Sequence, residues 1–205
     1  MPVVKKSAQC RQTITQAQVE TVISTNRWPV LFALLAGSGL RAGEVVALRA
    51  DDLSDDCSVI HVRHSLWRGN EQAPKTENAV CDANICGQLA ALLRAHAAGR
   101  VGYLFTTRPL GQRNVLAALH RAVGKIGLHA FRRFRTETLR RARVPEDLIR
   151  FWLGHAGSSI TDAYAEGLQN DDAWRRDWCK RAGLGFDLSH FKPQTVVKSF
   201  EAIAA

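Results

Sequence analysis

Residues 50–83 carry a strand-like pattern, whereas most other apolar residues of the chain recur at helical spacing. Here Val59 and Val62 mix with polar neighbours, and Gly69-Asn70 can form a turn before the apolar pattern resumes near residue 80. Short apolar runs separated by glycine and asparagine predict a small antiparallel sheet. Because helical patterns lie on both sides, we predict an α+β fold, mainly α with a small antiparallel β-sheet.

The helices are predicted from apolar residues three and four positions apart. Thr15 can cap the first helix, and Gly37-Ser38-Gly39 can end the second with a sharp turn. The predicted helices begin near Thr15 and then cover 29–36, 41–49, 84–98, 112–124, 130–143, 146–153, 159–165 and 171–182.

Length and composition fit one domain. With 205 residues, 46% of them apolar, the chain can bury a core without a metal or a disulfide. We predict a polar leader or residual interdomain linker over 1–14, a domain over 15–182 and a C-terminal tail over 183–205. The longest apolar run, 28–36, is too short to span a membrane. The N-terminus does not have the pattern of a secretory signal, and we predict a cytoplasmic, nucleoid-associated location. Five cysteines without a Cys-x-x-Cys pair predict free thiols and no metal site.

Positive charge is concentrated in one part of the chain. The sequence has 28 basic and 19 acidic residues, a net charge of +9. The segment 108–150 holds eleven basic and three acidic residues, and so eight of the nine excess charges. A solvated face explains any one arginine-rich helix equally well. Concentration of the excess in one fifth of the chain, mostly as arginine, favours a nucleic-acid surface.

The segment from His129 onward holds the polar residues whose side chains are best suited to catalysis. His129 and Arg132 are one helical turn apart, although His-x-x-Arg alone is common by chance. His155 follows Gly154 directly, and Tyr164 comes nine residues later. A half-buried structural tyrosine and a helix-turn-helix built from 146–153 and 159–165 are the simpler interpretations.

Two segments resemble the arginine boxes of the tyrosine recombinase (phage integrase) family. LLAGSGLRAGEVVALRADDL resembles the first box. HAFRRFRTETLRRARVPEDLIRFWLGHAGSSITDAYAEG is similar to the second, with His-x-x-Arg, Leu-Gly-His and a terminal tyrosine in order. The resemblance covers about residues 15–180 and implies the DNA breaking-rejoining catalytic-domain fold. By this resemblance, six residues fall on the family's catalytic positions: Arg41, Lys75 (in APKTENAV), His129, Arg132, His155 and Tyr164.

The resemblance assigns each residue a role in cutting a phosphodiester. Arg41 and Arg132 would neutralise the non-bridging oxygens of the phosphate in place of a metal ion, and Glu44 would hold Arg41. The pKa of a phenol is about 10, so Tyr164 needs a base, for which His129 is suited. The product is a 3′-phosphotyrosine, and neither a metal nor any other cofactor is implied.

The remaining roles concern the leaving group and the choice of nucleophile. By the same resemblance, Lys75 would protonate the departing 5′ hydroxyl, and His155 would hydrogen-bond the transition state. The chain has two tyrosines, and Tyr103 lies in the apolar VGYLF segment, which we interpret as core. Tyr164 is therefore the predicted nucleophile.

Several positions depart from the family pattern. Arg133 replaces a common histidine, and we predict that it binds DNA phosphate, as does Arg140. Arg135 stands on the apolar side of its helix where an aromatic residue is usual, and the sequence gives no role for it; Phe134 could take over the packing. Only about fourteen residues precede the match, so we expect the chain to lack the family's usual N-terminal DNA-clamp domain. We expect a catalytic fragment or a minimal or relict member that binds DNA weakly and salt-sensitively.

The sequence predicts the catalytic domain of a phage integrase or other tyrosine recombinase of a mobile element, which cuts and rejoins double-stranded DNA for recombination or integration. The family's exchange of a C-terminal helix implies a homo-tetramer on DNA, although an ordinary packed tail fits residues 171–205 equally well. Two alternatives stay open: relaxation alone, as by type IB topoisomerases, and a non-catalytic DNA-binding protein, either a helix-turn-helix protein or a decayed integrase.

Overall fold

The computed structural model describes residues 13–67, 69–72, 81–154, 167, 170–189 and 191, and every structural statement below concerns these. The helices are α1 Gln16–Thr25, α2 Pro29–Ser38, α3 Ala42–Ala47, α4 Gly87–Ala97, α5 Gln112–Val123, α6 His129–Arg141, α7 Glu146–Trp152 and α8 Asp172–Ala182. The strands are β1 Val59–Val62, β2 Ser65–Trp67, β3 Asn70–Gln72 and β4 Cys81–Asn84. The predicted helix 159–165 lies outside the described residues.

The strands form two separate antiparallel ladders in the described part of the chain. β1 pairs with β4, with Val59 opposite Asn84, and β2 pairs with β3, with Trp67 opposite Asn70. The prediction of a mainly helical fold with a small antiparallel sheet is confirmed. The hairpin turns at Gly69, whose φ of +85° suits glycine.

Helix α2 forms the centre of the core. Every residue from Val30 to Ser38 is buried, since α1, α3, α4 and α6 all pack against this helix. A helix that is apolar all round can only be stable with such cover. Pro29 occupies the first turn, where its missing N–H leaves no helical hydrogen bond unmade.

Helix α3 is shorter than the predicted 41–49. It ends at Ala47, because Leu48 is extended and its carbonyl accepts a hydrogen bond from the N–H of Leu104 (2.8 Å). Arg49 pairs with Tyr103 in the same antiparallel bridge, and a 3₁₀ turn follows over Ala50–Asp52. A long-range backbone pairing therefore ends this helix.

The core extends past the ends of the predicted domain. Ile14 is buried, and after α8 the side chains of Leu184 and Phe186 are buried too. The N–H of Asp187 donates to Glu20 in α1 (3.0 Å), which joins the residues after α8 to the first helix. None of the described helices combines the length and apolar character needed to cross a bilayer.

Candidate functional site

Arg41 is held at the start of α3 by Glu44. The N–H of Arg41 donates to Oε2 of Glu44 (2.7 Å), and Nη1 donates to Oε1 (2.8 Å). Glu44 is buried, whereas 44% of the Arg41 side chain is exposed. One carboxylate thus caps the helix and fixes the guanidinium while part of it still faces solvent. This contact is the one that the sequence predicted for Glu44.

Arg132 projects from the second turn of α6 into a buried position and is 5% exposed. Its Nη1 donates to the carbonyl of Gly39 (3.0 Å), just after α2, and its Nη2 donates to the carbonyl of Leu153, just after α7. The planar fork of arginine can reach two such acceptors at once. Arg132 therefore ties together the ends of two helices.

Gly39 connects the two arginines. It ends α2 with a φ of +75°, and Arg41 follows two residues later as the N-cap of α3. Its carbonyl is the acceptor for Arg132. The turn that precedes Arg41 therefore also holds Arg132, so the two predicted phosphate-binding residues are connected through the backbone of this turn.

We expect Gly39→Ala to destabilise the protein by about 2–4 kcal/mol, because it combines left-handed backbone strain with a steric clash. A Cβ at this position would lie 3.1 Å from Cγ of Arg135 and 3.2 Å from Cδ2 of Leu153. Gly99→Ala is the matched control, since Gly99 has a similar φ of +71° and open space around it. Denaturant unfolding of both variants measures the difference, and equal losses would show that packing at Gly39 is unimportant.

Arg135 has a clear structural role that the sequence did not reveal. It is 2% exposed, its Nη1 donates to the carbonyl of Gly183 (2.5 Å), and its Nη2 lies 3.9 Å from Sγ of Cys179. Burial lowers the pKa of the Arg135 guanidinium. Its side chain also packs against Gly39. Arg135 thus connects α6 to the end of α8 and supports the turn that holds Arg132.

The other predicted site residues are placed as follows. His129 is exposed at the start of α6, one turn before Arg132, and Arg133 is half-buried. Arg140 is exposed and forms an ion pair with Glu146 (2.9 Å), which raises the pKa of Arg140. Roles in catalysis for His129 and in DNA binding for Arg133 and Arg140 stay predictions. The positions that lie outside the described residues are Lys75, His155 and Tyr164.

Glu71 in β3 gathers three side chains around the hairpin. Its carboxylate accepts from Nη2 of Arg49 (3.0 Å) and from the hydroxyl of Tyr103 (3.1 Å), and lies 2.9 Å from Nδ1 of His64. The ring of Tyr103 is half-buried against the core, and the Arg49 guanidinium stacks over it. Tyr103 therefore packs as a structural tyrosine whose hydroxyl anchors the β2–β3 hairpin.

Comparison with known proteins identifies the family of this chain. A family model described as "Phage integrase family" matches residues 11–170, and the chain belongs to this family. A tyrosine recombinase XerC-like protein of Caldanaerobacter subterraneus is 26% identical over a 181-residue alignment, and the match covers 70% of this chain and 46% of that protein. The chain thus spans about half the length of this relative.

A second related protein and a solved structure agree with this family membership. A protein of Sinorhizobium fredii named as an integrase/recombinase is 28% identical over a 180-residue alignment, and the match covers 83% of this chain and 92% of that protein. Among solved structures, the Tn1549 transposon integrase in complex with a circular intermediate DNA superposes with a TM-score of 0.63 at 19% identity, covering 82% of this chain and 68% of that one. The predicted fold class is confirmed by this likeness.

Proposed function

We propose that this chain cuts and rejoins DNA strands at specific sites, as the catalytic domain of a tyrosine recombinase. The observation that carries the proposal is the Gly39 turn, which delivers Arg41 and holds Arg132 in a member of the phage integrase family. We infer that both guanidinium groups reach one phosphodiester, whose two non-bridging oxygens gain negative charge in the transition state.

The proposed reaction exchanges one phosphate ester for another. The hydroxyl oxygen of Tyr164 attacks phosphorus, the bond from phosphorus to the 5′ oxygen breaks, and a 3′-phosphotyrosine forms. His129 takes the tyrosine proton, Lys75 gives a proton to the departing 5′ oxygen, and His155 hydrogen-bonds the transition state. Rejoining is the reverse attack by a 5′ hydroxyl. Because one ester bond replaces another, no external energy source enters.

The proposed partner is double-stranded DNA. The basic residues of 108–150 other than the buried Arg132 and Arg135 supply the positive surface, and Arg133 and Arg140 on α6 are the proposed phosphate contacts. Exchange between two sites cuts four strands with one tyrosine each, so we expect a homo-tetramer on the paired DNA. Binding is expected to weaken steeply with salt, since each phosphate contact releases counterions.

Covalent capture tests the proposal. The protein is incubated with a library of nicked duplexes of random sequence, in which a cleaved strand loses a short piece and cannot be resealed. We expect a denaturant-resistant protein–DNA adduct that enriches one sequence, here termed the captured duplex. A plasmid carrying two copies of that sequence should then recombine, and relaxation without recombination would favour the topoisomerase alternative. Absence of any adduct would contradict the proposal.

A further inference from the structure

Asn84, the last residue of β4, joins three elements through its side chain. The residue is 4% exposed, and its Oδ1 accepts from Nε1 of Trp152 in α7 (3.1 Å) and from Nε of Arg175 in α8 (3.0 Å). Its Nδ2 donates to Oδ1 of Asp172, the first residue of α8 (3.0 Å). One buried amide thus binds the last residue of α7 and the first turn of α8.

The partners of Asn84 are themselves firmly held. Trp152 and Arg175 are buried, and Arg175 also donates to Asp172 (3.2 Å) while its guanidinium lies over the Phe151 ring, 5.2 Å from the centroid. The backbone carbonyl of Asn84 accepts from Sγ of Cys179 (3.4 Å). Buried polar groups satisfied in this way fix one arrangement, because each lost bond leaves an unpaired group in the core.

The position of this cluster along the chain gives it functional meaning. Trp152 ends α7 and Asp172 begins α8, and the chain between them contains His155 and Tyr164. Both ends of the segment that carries the proposed nucleophile are therefore bound to the same amide. We propose that Asn84 is a positioning residue for DNA cleavage, which holds these two ends where the reaction requires them. This inference rests on the proposed function.

A positioning residue affects the rate constant for cleavage more than DNA affinity. Misplacing a reacting group by about 1 Å can lower a rate by about 100-fold. Asn84 and Trp152 are neutral and buried, and Arg175 is paired with Asp172, whereas the proposed phosphate contacts lie elsewhere, on α6. Loosening the cluster should therefore slow cleavage and leave the affinity for the duplex almost unchanged.

Single-turnover cleavage of the captured duplex tests this role. Trp152→Phe keeps an aromatic ring but removes the Nε1–H donor, and Arg175→Lys keeps the charge but removes the Nε–H donor. We expect each variant to cleave about 10–100-fold more slowly at saturating DNA, with a dissociation constant within about threefold of wild type. Unchanged rate constants in both variants would overturn the proposal.

The amplitude of the reaction separates positioning from simple destabilisation. A merely destabilised protein has fewer folded molecules, so its amplitude falls while the rate constant of the folded fraction stays the same. Val22→Ala serves as this control, because Val22 is fully buried in α1, which packs against α2 and α5. We expect it to lower stability and to leave the rate constant unchanged, with a loss of amplitude only at denaturant concentrations that unfold part of the protein.

A reciprocal exchange provides a rescue. Asn84→Asp places a carboxylate opposite Asp172 and should slow cleavage, whereas adding Asp172→Asn restores one donor and one acceptor and should recover most of the rate. No recovery in the double variant, with its fold intact by circular dichroism, would contradict the role of this hydrogen bond. If wild-type protein forms no adduct, the proposed function fails; if it does and the variants match it, only this inference fails.

Discussion

Tyr164→Phe is expected to abolish the covalent protein–DNA adduct, with a loss of at least about 1,000-fold in cleavage. The substitution removes the oxygen of the proposed nucleophile and leaves the ring unchanged. The arginines should still bind the phosphate, so affinity for the captured duplex should stay within a few-fold. Adduct formation on denaturing gels and duplex binding at the same salt concentration measure the two effects.

Tyr103→Phe is the matched control, because the chain has two tyrosines. The hydroxyl of Tyr103 donates to Glu71 near the surface, and its loss should lower stability by no more than about 1 kcal/mol. We expect the adduct to form at the wild-type rate. Adduct formation by Tyr164→Phe would exclude Tyr164 as the nucleophile. If Tyr103→Phe alone lost the adduct, Tyr103 would be the nucleophile instead.

Local signals in the sequence predicted most helices to within a few residues. Helix α8 was predicted over 171–182 and covers Asp172–Ala182. Its start is visible in the sequence because Asp171 caps it, accepting from the N–H of Trp174 (3.0 Å). Helix α5 was predicted over 112–124, and Gly124 ends it with a φ of +84°. Caps act within one turn, so a single sequence is enough to find them.

Contacts between distant segments could not be predicted in this way. Arg135 is buried because its acceptor is the carbonyl of Gly183, 48 residues later, and no local pattern shows that pairing. Asn84 left one weak signal, a polar residue inside the buried run from Ala83 to Cys86. Its partners on α7 and α8 become visible only when the helices are packed.

In the candidate site, too, the sequence identifies the residues but not the long-range contacts that hold them. The family motifs predict that Arg41 and Arg132 act together, although 91 positions separate them in the sequence. The backbone carbonyl of Gly39 connects Arg132 to the turn that precedes Arg41, and side-chain motifs carry no information about this contact. The Gly37-Ser38-Gly39 turn was predicted only as the end of a helix. Its Gly39 carbonyl is also the hydrogen-bond acceptor that anchors Arg132.

Arg132→Lys is expected to slow cleavage of the captured duplex by about 100–1,000-fold and to destabilise the protein by about 2–3 kcal/mol. The two carbonyls that Arg132 bonds belong to Gly39 and Leu153, which follow different helices. A single ammonium group cannot replace a planar fork toward both of them and toward a phosphate at once. Single-turnover cleavage and denaturant unfolding measure the two losses.

Arg141→Lys on the same helix is the control for this substitution. The Arg141 side chain is 78% exposed and pairs with Glu137 one turn earlier, a contact that lysine can also make. We expect its cleavage rate and its stability to match wild type. If Arg132→Lys also kept the wild-type rate, positive charge alone would suffice at this position, and the two-carbonyl anchor would serve only the fold. A large loss confined to Arg132 would instead show that the fork geometry set by Gly39 and Leu153 is what the reaction uses.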